Sequence, residues 1–273
     1  MNPERRNMDN TEIYIPSEIK ELIAGRNYEI DRVGLSGSTV IKLDDMVLKI
    51  SKANKTFRNE VCAMQWLDGR LPVPKVIYHA EEGEKGYLLM SRVNGLMGCD
   101  KYYLERPDEL KCLLADTLKA LWSIDISECP MHQSLDDDLQ RAEDNVRHGM
   151  VDFEDVDKWL LADGGFTSFE SLLAWLNSAK PEIDPVLSHG DMSLPNLFFE
   201  GGQLSGIIDL GDMGIGDRWR DIAICLRSFK HNLEGKHGIK TYPDYDVCAM
   251  FDKLGIAPCA DRIKYWLLLD ELF

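Results

Sequence analysis

The 273-residue chain lacks any apolar run long enough to cross a lipid bilayer, which takes about 20 consecutive residues. Residues 1–7 are mostly polar or charged and no apolar stretch follows them, so we expect neither a signal peptide nor a membrane anchor. The protein is therefore predicted to be cytoplasmic, with no membrane partner.

Cysteine pairs with the spacing of metal sites are also missing. The seven cysteines are widely spaced, none forms a Cys-x-x-Cys motif, and the six histidines do not cluster near them. This pattern argues against a zinc site and against a disulfide framework. We expect reduced cysteines that mostly pack as small apolar side chains.

Basic residues are outnumbered by acidic ones. There are 31 lysines and arginines against 47 aspartates and glutamates, which gives a formal net charge of −16. Such a chain repels the phosphates of nucleic acids, so we predict no nucleic-acid partner. It would attract a polycationic ligand, although many cytosolic proteins are acidic only for solubility.

The apolar pattern changes from strand-like to helical along the chain. Residues 40–43 and 46–50 read as a β-hairpin, and further strands are expected near 75–79 and 86–91. After Gly95 the helical period dominates. We therefore predict an α+β, two-lobed fold with a lobe boundary in this part of the chain.

The two lobes are assigned as follows. The N-terminal, nucleotide-binding lobe covers 13–93, the hinge lies near 91–95, and the helical C-terminal lobe covers 96–273. Helices are predicted to start at Ser17 (with Ile19, Leu22 and Ile23 on one face) and at Pro107, and over 56–68, 136–148, 217–229, 245–254 and 260–271. Ser168 is predicted to cap one more helix, and 196–199 and 204–208 form a second hairpin.

The most informative stretch is His189-Gly190-Asp191-Met192-Ser193-Leu194-Pro195-Asn196, which is followed by Ile208-Asp209-Leu210-Gly211. An Asp-x4-Asn pattern followed by Asp-x-Gly is how protein kinases supply a catalytic aspartate and two metal ligands. Asp191 would accept the hydroxyl proton or orient the hydroxyl. Asn196 and Asp209 would offer the hard oxygen ligands that suit Mg²⁺.

The first third of the chain supplies matching parts. Lys49 lies on a strand and would reach the α- and β-phosphates of a nucleotide, and Glu60, on the inward face of the next helix, would hold it by an ion pair. The glycines of loop 34–39 would let backbone N–H groups approach phosphates. Each part alone has an ordinary structural explanation, such as a simple turn or a structural ion pair. Their joint order along the chain predicts a small-molecule kinase.

Four segments carry a resemblance to a known family: Trp66-Leu67-Asp68-Gly69-Arg70-Leu71-Pro72-Val73-Pro74-Lys75-Val76, Ser123-Ile124-Asp125-Ile126-Ser127-Glu128-Cys129-Pro130, the block 189–229, and Leu269-Asp270-Glu271-Leu272-Phe273. The chain resembles the aminoglycoside O-phosphotransferases, particularly their 3′-phosphorylating branch. The likeness runs from about residue 13 to the end. It implies a protein-kinase-like fold, ATP or GTP as phosphate donor, Mg²⁺, a polycationic aminoglycoside as acceptor, and antibiotic resistance.

The resemblance assigns roles to single residues. Lys49 and Glu60 match the phosphate-binding pair of the family, and Asp191 matches its catalytic aspartate. Asn196 and Asp209 match its magnesium ligands.

Nucleotide contacts follow from the same resemblance. Met90, Ser91 and Val93 match the hinge that holds the adenine, with backbone groups of Ser91 and Val93 as the expected contacts. Ser36 and Ser38 fall in the phosphate loop.

Substrate contacts are also implied. The family's substrate-binding groups match Asp157, Arg227, Asp270, Glu271 and the terminal Phe273. Arg227 is expected to orient the nearby acids. His189 and Asp221 are expected to shape the catalytic loop rather than to do chemistry.

The chain also departs from its relatives. Asp212 follows the Asp-x-Gly where related enzymes often have Arg, and Leu194 stands where some have Asp. Leu160 replaces a substrate-binding Glu of some relatives, and Val47 replaces an aromatic ring that stacks on adenine. These departures leave substrate breadth and nucleotide preference open.

Three alternatives compete with this interpretation. A kinase of choline, homoserine or fructosamine type would share the phosphate machinery, but the acidic C-terminus argues against it. A non-catalytic kinase-like protein would usually have lost the lysine, the aspartate or a metal ligand. A metal-dependent phosphohydrolase using His189, Asp191 and Asp209 would leave the N-terminal features unexplained. A monomer or weak dimer is expected.

Overall fold

The structure is a computed structural model that describes residues 13–31, 38–151, 165–236, 240–242, 246 and 249–273. Ser36, Asp157 and Leu160, which were singled out from the sequence, lie outside the described residues.

The N-terminal lobe is a five-stranded antiparallel sheet with one long helix against it. Its elements are α1 (Ser17–Leu22), β1 (Tyr28–Asp31), β2 (Thr39–Leu43), β3 (Met46–Lys52), α2 (Lys55–Leu67), β4 (Val76–Glu82) and β5 (Lys85–Ser91). The strand order is β1-β2-β3-β5-β4. The predicted hairpin is confirmed as β2 and β3, with Val40 opposite Lys49.

Strand β3 positions Lys49 by simple alternation. Met46, Leu48 and Ile50 are buried on one face of the sheet. Successive side chains of a strand point to opposite faces, so Lys49 points to the other face, where α2 packs.

Helix α2 begins where the sequence predicts and buries one apolar face. The side chain of Asn54 caps it by accepting a hydrogen bond from the backbone N–H of Phe57. The ring of Phe57 packs so closely on β5 that a Cβ at Gly86 would lie 2.6 Å from it. Glu60 is buried on this face, next to Val61.

Helices dominate the C-terminal lobe. Its elements are β6 (Leu96–Met97), α3 (Lys101–Leu104), α4 (Pro107–Trp122), α5 (Leu135–Arg147), α6 (Phe169–Ser178), β7 (Pro185–Ser188), β8 (Leu197–Glu200), β9 (Gln203–Ile207), β10 (Gly214–Asp217), α7 (Arg218–Leu233), α8 (Ala249–Leu254) and α9 (Ala260–Asp270). Short 3₁₀ turns cover Leu194–Asn196 and Leu210–Asp212. The predicted α+β, two-lobed fold is confirmed.

Local predictions agree with the structure in most places. Ser168 caps α6 in a capping box with Ser171. One prediction is wrong: Leu22 does not share the buried face of Ile19 but is 44% exposed, because α1 packs on the sheet through a single turn. Within the described ranges, no helix combines the length and the apolar character needed to span a bilayer.

One hydrophobic core runs through both lobes. Met64 and Leu67 of α2 and Leu88 of β5 belong to the same buried cluster as Leu114 of α4 and Phe229 of α7. A smaller cluster covers the other face of the sheet and includes Ile19, Ile41, Leu43, Leu48 and Leu89. Helix α2 is therefore the layer that joins the sheet to the helical lobe.

Candidate active site

A buried carboxylate shapes the loop that follows β7. Asp221, in the first turn of α7, accepts hydrogen bonds from the Ser188 hydroxyl at 2.9 Å and from the backbone N–H groups of His189 and Gly190 at 3.0 and 3.2 Å. Gly190 has φ +86°, and a Cβ there would lie 2.3 Å from the carbonyl oxygen of Asp212. Glycine is therefore required at this position. The expectation that Asp221 shapes the loop fits this geometry.

His189 links the two acidic motifs through both ring nitrogens. Its Nδ1 accepts the backbone N–H of Asp191 at 3.2 Å, so the proton is on Nε2, which donates to the carbonyl oxygen of Ile208 at 3.0 Å. Ile208 directly precedes Asp209 in the sequence. With both nitrogens engaged, His189 positions its neighbours rather than acting as a base.

Asp191 is held by Asn196. The Asn196 amide nitrogen donates to the Asp191 carboxylate at 2.9 Å and to its backbone carbonyl at 3.0 Å. Burial raises the pKa of Asp191; the charge of Asp270 adds to the rise, and a side-chain hydrogen bond from Ser193 opposes it. A fixed carboxylate with a raised pKa suits proton acceptance near neutral pH.

Lys49 forms two ion pairs, one within the N-terminal lobe and one to the C-terminal lobe. Its ammonium nitrogen lies 2.9 Å from a carboxylate oxygen of Glu60 and 2.8 Å from one of Asp209. Burial by itself would lower the pKa of Lys49, but the attraction of Glu60 and Asp209 outweighs it and the pKa is raised. The predicted Lys49–Glu60 pair is thus present in the structure.

The Asp209 segment is also clamped by helix α2. The amide nitrogen of Asn59 donates to the carbonyl oxygens of Gly211 and Met213 at 2.9 and 2.7 Å. A Cβ at Gly211 would lie 2.4 Å from the methyl group of Thr56. The segment and the helix are therefore in direct contact, and the sequence analysis identified neither Asn59 nor Thr56.

Asp209 and Asn196 fit a magnesium site. Asp209 has φ 60° and is, among the described residues, the one non-glycine with positive φ, a conformation that costs about 1–2 kcal/mol. Burial raises its pKa but Lys49 lowers it further, so the carboxylate stays ionised. The described residues contain no group of three or more His, Cys, Asp or Glu around one point. Two oxygen ligands are what Mg²⁺ needs when phosphate oxygens and waters complete its shell.

Part of the hinge backbone is already hydrogen-bonded within the protein. The Ser91 N–H donates to the carbonyl oxygen of Lys75 at 2.9 Å, and the Ser91 hydroxyl accepts the Lys75 N–H at the same distance. Val47 lies opposite Met90 in the paired strands β3 and β5. The Val93 side chain fills the space over Gly206, where a Cβ would lie 2.1 Å from it.

The C-terminal acids are gathered around one arginine. Arg227 donates to Glu271 at 2.8 Å and forms an ion pair with Asp270. Leu272 is fully buried, whereas Phe273 is 43% exposed.

Ser38 is half-buried where β2 begins, at the end of the predicted phosphate loop.

Comparisons with known proteins agree with this geometry. A family model described as the phosphotransferase enzyme family matches residues 28–246. An aminoglycoside 3′-phosphotransferase of Enterococcus faecalis is 35% identical over 269 residues, which cover 95% of this chain and 98% of the relative. The chain belongs to the aminoglycoside phosphotransferase family. A second such phosphotransferase, from Staphylococcus aureus, is 34% identical over 268 residues, covering 95% and 98%.

Solved structures of this phosphotransferase family share the fold. An aminoglycoside-3′-phosphotransferase of type VIII superposes with a TM-score of 0.78 at 25% identity, covering 94% of this chain and 97% of the other. An aminoglycoside phosphotransferase from Streptomyces rimosus in complex with ADP and streptomycin has a TM-score of 0.68 at 20% identity, covering 93% and 97%. The protein-kinase-like fold expected from the sequence is confirmed.

Proposed function

We propose that this phosphotransferase moves the γ-phosphate of ATP or GTP to a hydroxyl group, the 3′-hydroxyl, of an aminoglycoside antibiotic, and that it thereby confers resistance. The observation that carries the proposal is the convergence of Lys49, Glu60 and Asp209 in the described site, next to the Asp191–Asn196 pair that His189 links to it. The substrate class comes from the relatives, which are named for it.

The nucleotide would lie between the lobes. Lys49 would bind the α- and β-phosphates, while Glu60 keeps it in place. The backbone N–H of Ser91 is already bonded to Lys75, so we assign the Ser91 carbonyl and a backbone group of Val93 to the adenine. Ser36 and Ser38 would cover the phosphates, and Met90 would line the adenine pocket.

Asn196 and Asp209 would hold Mg²⁺, which when bound neutralises charge on the phosphates. The amide nitrogen of Asn196 is directed at Asp191, so its amide oxygen is the atom we assign to the metal. Lys49 fixes one oxygen of Asp209 and thereby sets the direction in which that carboxylate binds.

Asp191 would orient the acceptor hydroxyl and accept its proton. The hydroxyl oxygen forms a bond to the γ-phosphorus as the bond from that phosphorus to the β-phosphate bridging oxygen breaks. The nucleoside diphosphate leaves with that bonding pair, and the proton goes to the Asp191 carboxylate. Asn196 holds this carboxylate in the orientation needed for transfer.

Acidic groups would bind the ammonium groups of the aminoglycoside. We assign this role to Asp157, Asp270, Glu271 and the terminal carboxylate of Phe273. Arg227 contacts Asp270 and Glu271, so its part in substrate binding is to orient these carboxylates. The net charge of −16 favours approach of a polycation. We further propose a cytoplasmic monomer or weak dimer that binds neither nucleic acid nor membranes.

The test is release of ADP or GDP in a coupled assay with Mg²⁺ and either ATP or GTP. The acceptors are kanamycin, neomycin, an aminoglycoside without a 3′-hydroxyl, choline and homoserine. We expect turnover with kanamycin and neomycin and none with the 3′-deoxy compound. Turnover with the 3′-deoxy compound would assign another hydroxyl, and turnover with choline or homoserine alone would replace the substrate class.

A further inference from the structure

Arg141, on helix α5, makes three different contacts with one guanidinium group. One nitrogen donates to Asp212 at 3.0 Å and another to Asp138 at 3.4 Å. The guanidinium carbon lies 4.0 Å from the centre of the Phe273 ring. These partners come from the segment after Asp209, from α5 itself and from the C-terminus.

The Asp212 contact connects Arg141 to the reacting groups. Asp212 directly follows Asp209-Leu210-Gly211, and its carbonyl oxygen abuts Gly190, the residue before Asp191. The contact with Asp212 therefore anchors the Arg141 guanidinium on the segment that carries Asp209. The chain thus has an acidic residue after its Asp-x-Gly that is paired with a cation on another helix.

The Phe273 contact connects Arg141 to the proposed substrate site. Phe273 is 43% exposed, and its ring lies against the Arg141 guanidinium. The same helix holds the preceding residue, because the amide nitrogen of Asn145 donates to the carbonyl oxygen of Leu272 at 2.9 Å. Helix α5 therefore holds both Leu272 and Phe273 in place.

A buried ion pair keeps α5 itself in place. Asp138 accepts a hydrogen bond from Arg220 of α7 at 2.9 Å, and both side chains are about 95% buried. Because this pair anchors α5 on the core, the backbone of Arg141 has a fixed position. An arginine on a mobile surface segment would not hold its partners in fixed positions.

We infer that Arg141 is a positioning residue for the aminoglycoside, because it fixes the C-terminal Phe273 relative to the segment that carries Asp209. The inference rests on the proposed function, since it assumes that the terminal carboxylate binds the substrate. Arg141 acts through Phe273 and Asp212 and touches no reacting atom.

The variant Arg141→Met distinguishes an effect on aminoglycoside binding from an effect on nucleotide binding. We expect KM for kanamycin to rise about 10- to 100-fold, as for a misplaced binding group, while KM for ATP stays within about twofold. The matched control is Arg147→Met, on the same helix. Arg147 pairs with Glu143 and Asp144 at the surface, so this variant should behave as wild type.

A charge exchange then tests the ion pair itself. Arg141→Asp places a third acid beside Asp138 and Asp212 and should raise KM for kanamycin further. The double variant Arg141→Asp/Asp212→Arg restores an opposite-charge pair between these two positions but not the guanidinium over Phe273, so it should recover part of the loss. Arg141→Lys, which keeps a cation for Asp212 but lacks the flat group over Phe273, should fall between wild type and Arg141→Met.

Three results would overturn the inference. They are unchanged KM values in Arg141→Met, an equal rise of both KM values together with a lower melting temperature, and no recovery in the exchanged double variant. If Arg141→Met does not fold, the Arg141→Lys variant and the double variant still decide. A wild-type protein that turns over no aminoglycoside would instead refute the proposed function, and this inference with it.

Discussion

The ammonium nitrogen of Lys49 lies 2.8 Å from a carboxylate oxygen of Asp209, although 160 residues separate the two in the chain. Strand β3 of the sheet and the segment before β10 thus meet at one cation. Because the side chain of Glu60 is only 3% exposed and also contacts Lys49, the lysine that we propose binds the nucleotide is also the counter-charge of a buried acid.

Removing Lys49 should therefore damage stability as well as activity. Lys49→Met leaves the buried Glu60 carboxylate without its cation, and we expect the free energy of unfolding to fall by about 3–5 kcal/mol. Turnover should fall by about 10²- to 10³-fold because a phosphate-binding cation is lost. Urea denaturation and the coupled assay measure the two effects.

The double variant Lys49→Met/Glu60→Gln separates the effect on stability from the effect on activity. Neutralising Glu60 should return much of the lost stability, whereas the protein should remain inactive. If the double variant is as unstable as Lys49→Met, the stability effect does not come from the uncompensated charge of Glu60.

Asp191→Asn should abolish transfer while stabilising the metal-free protein. Turnover should fall by about 10²- to 10⁴-fold with loss of the base. Because burial raises the pKa of Asp191, its ionised form is less favourable in the folded than in the unfolded chain. The destabilisation is complete above the folded-state pKa and vanishes below the unfolded-state pKa.

Thermal unfolding in EDTA over a pH series tests whether Asp191→Asn is more or less stable than wild type. The melting temperature of Asp191→Asn should exceed that of wild type at pH 7 to 8, and the gap should close as the pH falls toward the ordinary range of aspartate. A variant that melts lower than wild type at pH 8 would contradict the argument, and so would near-normal turnover.

Asn59→Leu should loosen the segment that carries Asp209. The change removes two hydrogen bonds to the carbonyl oxygens of Gly211 and Met213, which should lower stability by about 1–3 kcal/mol. We expect kcat to fall about tenfold or more, as for a group displaced by a fraction of an ångström, and more Mg²⁺ to be needed for half-maximal rate. Steady-state kinetics over a Mg²⁺ series measure both.

Asn177→Leu is the matched control for this change. Asn177 also donates its amide nitrogen to a backbone carbonyl, that of Leu173 at 3.0 Å, but on the exposed surface of α6. It should leave kcat and the Mg²⁺ requirement unchanged. Equal effects of the two leucine variants on the Mg²⁺ requirement would exclude a special role of Asn59.

Gly211→Ala and Thr56→Ser form a suppressor pair. The added Cβ would lie 2.4 Å from the Thr56 methyl group, so Gly211→Ala should push α2 and the Asp209 segment apart and cost about 1–3 kcal/mol. Thr56→Ser removes that methyl group and should restore both melting temperature and kcat in the double variant. Thr56→Ser alone should resemble wild type. Failure of the serine to rescue would mean that the alanine acts through another contact.

Some parts of the site could be predicted from the sequence because local patterns determine where those residues lie. Asp191 and Asn196 belong to one short motif, and Lys49 and Glu60 are placed by strand alternation and helical period. Asn59 and Arg141 could not be found this way, because their partners lie 152 and 71 residues away in the chain. Nothing in the neighbourhood of either residue indicates those contacts.

The wrong prediction for Leu22 has a related cause. The helical period places Leu22 near Ile19, but a helix of six residues has one turn against the sheet and the rest in solvent. Periodicity predicts which residues share a helix face; the packing of that helix decides how much of the face is covered.

The continuous core beneath α2 bears on how this family can diversify. Met64 and Leu67 pack in the same cluster as Leu114 and Phe229, so in the described part of the chain one apolar cluster continues from the sheet lobe into the helical lobe. Recombination between relatives near residue 95 would join halves whose interior surfaces had not evolved together. New substrate ranges should therefore arise by point changes around the C-terminus and α5, while the two halves are inherited as one block.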